Sequence, residues 1–157
     1  MAFSNPEVYL KELARPLCER FAAEPTSYEL AISCCIILYH FADVLGYVRG
    51  QQAHEAASAI TKQIPEFETI RALANAAKHV ELTYHPNKAL LGLRAEDLVR
   101  GKAAAFSDGT YFSDGTTFSD MPETVVVTTP DGKKHDVLHT CSTVLESLEK
   151  QTDFFQV

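Results

Sequence analysis

The 157-residue sequence contains no tryptophan, two methionines, seven glycines and seven prolines. So little glycine and proline excludes a collagen-like repeat and a low-complexity chain, and 46% hydrophobic residues exclude a disordered one. Cysteine is scarce too: Cys18, Cys34, Cys35 and Cys141 are too few for a disulfide scaffold. Adjacent helical residues point about 100° apart, so Cys34 and Cys35 cannot readily bridge, and no Cys-x-x-Cys spacing suggests zinc. They read as small buried hydrophobes in a reducing, cytoplasmic setting. Basic residues are outnumbered, 14 against 21 acidic, and after residue 100 the balance is four against nine. A broad basic groove for nucleic acid is excluded, whereas a local site built from two or three cations is not.

The amino terminus lacks the basic start and apolar core of a signal peptide, so no export is expected. Leu30 to Val48 is nineteen residues long with Asp43 as its only formal charge. Asp43, Ser33 and His40 would be costly in lipid, and the amphipathic segments around this run need an apolar partner. We therefore expect a buried central helix and no membrane span.

The chain reads as a single mainly α domain: a helical bundle of four to five helices over residues 1–100, a small β element over 102–137, and a returning helix over 138–150. Asn5-Pro6 opens the first helix, which Pro16 should kink. Thr26 and Glu29 form a capping box for the central helix, which ends near Gly46 to Gly50. A third helix covers roughly Gln52 to Lys62, and a fourth runs from Pro65 to about Leu82, where Tyr84-His85-Pro86-Asn87 breaks it. A short helix around Ala95 to Val99 is expected next. Then FSDGTY, FSDGTT and FSD repeat every six residues, carrying Phe106, Phe112 and Phe118 in register. Ser-Asp-Gly is turn chemistry, which predicts short strands joined by tight turns, with Asp108, Asp114 and Asp120 as turn formers. Glu123 to Thr129 should pair across Pro130-Asp131-Gly132 with Lys133 to Val137 as a hairpin.

Two polar stripes stand out. On the central helix, Glu29, Ser33, Ile36, His40, Asp43 and Tyr47 fall on one narrow seam, the spacing of a solvent-facing strip or of a site. On the fourth helix, Arg71, Asn75, Lys78 and His79 lie within about 100° of one another, opposite Ile70, Leu73, Ala77 and Val80. The second stripe suits phosphodiester chemistry: an imidazole for proton transfer, a guanidinium and an ammonium for a phosphate, and an amide to orient either. Facing it, His40 and Asp43 would serve as supporting groups across one helix contact. His79, Glu81 and His85 supply metal-ligand types, but their spacing straddles a helix end, and His135 and His139 sit on either side of the expected hairpin-to-helix junction. No metal or cofactor is expected.

The run Arg71-Ala-Leu-Ala-Asn75-Ala-Ala-Lys78-His79, near the end of a helix in a small bundle, resembles the HEPN superfamily, although its arginine-to-histidine spacing is one residue longer than that family's motif. The resemblance covers residues 26–85 and the last helix. It implies a helical, frequently dimeric domain acting on RNA, often as a metal-independent endoribonuclease of a toxin or phage-defence type. Under it His79, Arg71, Asn75 and Lys78 would be the catalytic group, completed by a second copy. Ala72 and Ala76 beside His79 would let that copy's helix approach closely. The competing reading is a non-catalytic protein-interaction or assembly module, with exposed Tyr111 or Phe112 as its binding edge.

Overall fold

The computed structural model describes residues 4–151, leaving residues 1–3 and 152–157 outside the description. The Asn5 side-chain oxygen accepts the N–H groups of Glu7 and Val8 at 2.9 and 3.1 Å, and α1 (Pro6–Tyr9) begins with proline at a first-turn position. Just before Pro16, where a kink was expected, a π-helical turn over Leu10–Ala14 leads into α2 (Arg15–Ala23). The Arg15 N–H reaches back to the Leu10 carbonyl, and this wider turn accommodates a proline that has no N–H of its own to continue the ladder.

The central helix α3 (Tyr28–Arg49) is capped by Ser27, whose hydroxyl accepts the Leu30 N–H at 3.2 Å, one position beyond the expected Thr26. Thr26 instead gives its carbonyl to Arg100 Nε at 3.2 Å. Gly50, at φ 64°, takes the left-handed conformation that closes the helix. α3 is long and apolar enough to cross a membrane, yet it packs against every other helix in the fold, with Ala31, Cys34, Leu38, Phe41 and Leu45 fully buried. The bundle is completed by α4 (Ala53–Gln63), α5 (Phe67–His79) and α6 (Val137–Lys150). Arg15 forks onto Glu149 through Nε, at 2.8 Å, and Nη2, tying α2 to α6. All four cysteines are free and buried. Cys35 lies 3.9 Å from Cys141, sulfur to sulfur.

A three-stranded antiparallel sheet, in the order β1 (Leu98–Lys102), β2 (Glu123–Thr128), β3 (Lys134–Asp136), precedes α6 as expected. Its register pairs Leu98 with Val127 and Thr128 with Lys134. The helix expected at Ala95 to Val99 is reduced to a 3-10 turn over Ala95–Asp97, because Leu98 and Val99 are drawn into the sheet by β2.

Residues 103–122 form no strands, which corrects the reading of the repeat. In each of the first two copies the aspartate folds back on its own turn. Asp108 Oδ1 accepts from Thr110 N and Oγ1 at 3.0 and 2.6 Å, and Asp114 does the same with Thr116 at identical distances. Phe106 N–H bonds Thr110 O and Phe112 N–H bonds Thr116 O. The backbone groups that a ladder would need are therefore used within each copy. The three phenylalanine rings meet edge to face, 5.2 to 6.5 Å apart.

Candidate functional site

α5 buries Phe67, Ile70, Leu73 and Ala76 against the bundle. Arg71, Asn75 and His79, four residues apart on the other side, line one cavity of about 320 Å³ together with Tyr39 of α3 and the segment from Glu81 to Pro86. The stripe read from spacing thus becomes one wall of a concave site.

The opposite wall depends on how α5 ends. The helix stops at His79 rather than near Leu82, since Val80 adopts φ 69° and ψ −47°, near the rare γ-turn region that a β-branched residue scarcely visits. Val80 is consequently exposed instead of extending the apolar side of the helix. Beyond it the chain closes a loop on itself: Leu82 N–H bonds Leu93 O and Gly92 N–H bonds Leu82 O, both at 2.8 Å, with Leu82, Leu90 and Leu93 buried beneath. Glu81 and Arg94 bridge at its mouth. This closure folds Tyr84-His85-Pro86-Asn87 back onto α5, and Asn87 Nδ2 donates to Glu68 Oε2 at 3.0 Å.

Two of the lining residues carry a buried side-chain nitrogen with no protein partner among the described residues, Arg71 Nε and His85 Nε2. A buried donor left unpaired costs about 1–3 kcal/mol, so two on one cavity are a costly coincidence unless an acceptor joins them. His85 is only 4% exposed. Burial pushes its pKa below the ordinary 6.5, and the Arg71 charge acts in the same direction, against the Asn87 backbone bond and Glu68.

The other candidates lie elsewhere. Lys78 is exposed at the outer edge of the stripe and does not line the cavity. His40 Nδ1 pairs with Asp43 Oδ2 at 2.7 Å on an exposed face, so their polarity is met by each other and by solvent. Their neighbour Tyr39 is the α3 residue in the cavity wall. Ala72 and Ala76 are fully buried within the chain, which removes them as a landing surface for a second copy. Sequence reasoning missed Tyr39, Tyr84 and the place of His85, whose one available signal was turn chemistry at Pro86-Asn87. No three His, Cys, Asp or Glu side chains among the described residues converge as a metal site.

The chain matches no protein-family model, no curated protein and no solved structure.

Proposed function

We propose that this is a HEPN-like RNA-binding domain that cleaves phosphodiester bonds without a metal, using the α5 cavity. The observation that carries the reading is the convergence of Arg71, Asn75 and His79 on a single cavity wall. His79, at the exposed end of α5, has the imidazole needed to take the 2′-hydroxyl proton or to protonate the leaving oxygen. Arg71, half-buried, compensates the charge that develops on the phosphorane, and Asn75 between them orients the diester. Tyr84 at the rim is 83% exposed, a large aromatic face on which an unpaired base can stack. The strong acidity of the chain fits recognition of a short single-stranded segment better than of a duplex.

The test is cleavage of single-stranded RNA by the purified chain in the presence of a chelator. His79→Ala is expected to lower the rate by roughly 10²–10⁴-fold, and Arg71→Ala by a comparable factor. A parent protein that neither binds nor cleaves any RNA overturns the reading. A homodimer belongs to the same proposal, and light scattering that finds only a species of the chain mass removes the second copy from it.

A non-catalytic interaction module is favoured by one separate observation: Phe106, Phe112 and Phe118 form an aromatic cluster in which each residue stays 39–47% exposed. Such a cluster suits a protein contact, and alanine at all three would abolish partner binding while leaving RNA cleavage intact.

A further inference from the structure

The Tyr84-to-Asn87 turn adds a group to the cavity that lies outside the Arg71-to-His79 run. His85 Nδ1 lies 3.1 Å from the Asn87 backbone N–H and 3.3 Å from the Asn87 carbonyl oxygen, and the shorter contact, in which Nδ1 accepts, assigns the tautomer. A neutral imidazole that accepts at Nδ1 carries its proton at Nε2, so His85 presents Nε2–H as a donor. Arg71 Nε–H is the second. Both atoms are buried, both belong to residues lining the same cavity, and neither has an acceptor among the described residues. The two donors come from different elements, α5 and the 81–94 loop. Glu81, the one carboxylate in the cavity lining, lies 3.7 Å from an Arg94 guanidinium that it shares with the closer Glu96.

We propose that the floor of this cavity is a subsite for one phosphate-type oxyanion, held by the charged Nε–H of Arg71 and the neutral Nε2–H of His85. The subsite rests on the RNA reading and deepens it by naming what grips the phosphate, but free inorganic phosphate would satisfy the same two donors. His85 acts here as a binding residue. The proton traffic of cleavage stays with His79.

The experiment follows the side-chain N–H signals of Arg71 Nε and His85 Nε2 by NMR in the full-length chain as inorganic phosphate is added, with acetate as a control. Both signals are expected to move together along one saturating curve, half-complete on the order of millimolar phosphate, with acetate weaker. His85→Leu removes the donor and is expected to weaken phosphate binding by about tenfold or more. His85→Gln places an amide N–H near the same point and is expected to restore it to within about threefold. The proposal is overturned if neither signal of the folded parent responds saturably, or if His85→Leu binds phosphate as tightly as the parent. Should the leucine variant fail to fold, the parent's two signals and the glutamine variant still decide the matter. Phosphate binding without any RNA binding or cleavage supports the subsite and refutes the RNA reading. RNA cleavage that is unchanged in His85→Leu, with no phosphate response, does the reverse.

Discussion

The α5 cavity and the Phe-Ser-Asp-Gly segment are both made from short polar sequences, but they dispose of their polar atoms in opposite ways. In the segment, Asp108 and Asp114 each accept two hydrogen bonds from a threonine two residues on. Those threonine bonds hold both carboxyl groups below the usual carboxylate range. In the cavity lining, Arg71 and His85 each bury a side-chain nitrogen with no partner among the described residues, and burial lowers the His85 pKa. The segment closes its turns locally, and it is tied to the sheet by bonds from Tyr111 Oη to Lys102 O at 2.8 Å and from Lys134 Nζ to Gly115 O at 3.3 Å, with Thr117 Oγ1 its one buried polar side-chain atom lacking a partner among the described residues. A cavity that leaves donors unmatched is complementary to something that brings acceptors. The difference separates a device of architecture from a site.

The sharpest way to test the architectural half is to place the same methyl group in its two equivalent turns. Gly109 and Gly115 occupy matching positions at φ 84° and 79°. A Cβ at Gly109 would collide with the His139 ring, whereas one at Gly115 meets nothing within 4 Å. Gly115→Ala is expected to cost about 1 kcal/mol from the left-handed backbone alone. Gly109→Ala adds displacement of His139, for a total of about 2–4 kcal/mol in urea unfolding. Equal costs would show that the two copies are not held differently, and that the first is not wedged against α6. On the cavity side the matching substitution has the opposite sign. Val80→Gly relieves a positive φ at an exposed β-branched residue and is expected to stabilise by about 1 kcal/mol, net of glycine's entropy. A loss of stability would sink the idea that α5 ends under strain.

The two regions should also part company on acidification. His85 has a folded pKa below its ordinary 6.5, so the unfolded chain takes up the proton first as the pH falls. Its contribution is complete above about pH 6.5 and declines as the pH drops from there toward the folded value. His135, beneath the segment, is likewise held down chiefly by burial, and adds to the same window. Asp108, Asp114 and Asp131 are depressed from 3.8, so their contribution persists above that value and is lost only below it. Melting temperature followed from about pH 8 to pH 3 is therefore expected to fall in two stages. His85→Gln should flatten the upper stage by its own share, leaving that of His135, and should not alter the lower one. A variant whose upper stage is as steep as the parent's would show that His85 is not held neutral in the fold.

What could be read from the sequence follows the range of the interactions involved. The central helix was legible because a largely apolar run between Leu30 and Val48, broken only by a narrow polar seam, needs neighbours to cover it, and α3 does touch every other α-helix. The β2–β3 hairpin was legible because Pro130-Asp131-Gly132 encodes its turn within three residues, with Gly132 at φ 84°. The alignment of Arg71, Asn75 and His79 needed only the helical repeat. His85 was not legible as their companion, since its return to α5 depends on Leu82 and Leu93 closing a loop across eleven positions. Nor does any local preference place Val80 at a positive φ, so the end of α5 was drawn too late. In the repeat, turn residues were recognised but strands were supplied between them; the aspartate bonds that forestall a ladder span only two residues, so this miss was one of local turn chemistry and not of range.

The smallest effect is expected at Lys78, and it bears on where the phosphate sits. The sequence stripe gives Lys78 the same standing as Arg71, but the ammonium lies exposed at the edge of the stripe and outside the cavity lining. An exposed charge acts on a bound phosphate only through water and salt, with a screening length of about 8 Å at physiological ionic strength. Lys78→Ala should therefore change RNA cleavage by less than about twofold at that ionic strength, with a slightly larger loss at low salt, where screening is weaker. Arg71→Ala, in the same assay, removes a cation whose Nε is shielded from solvent and should be nearly indifferent to salt over that range. A loss at Lys78 as deep as that at Arg71, persisting at high salt, would move the phosphate out of the cavity to the open side of α5, and the contrast between a local turn and a ligand-completed pocket would have to be redrawn around that face.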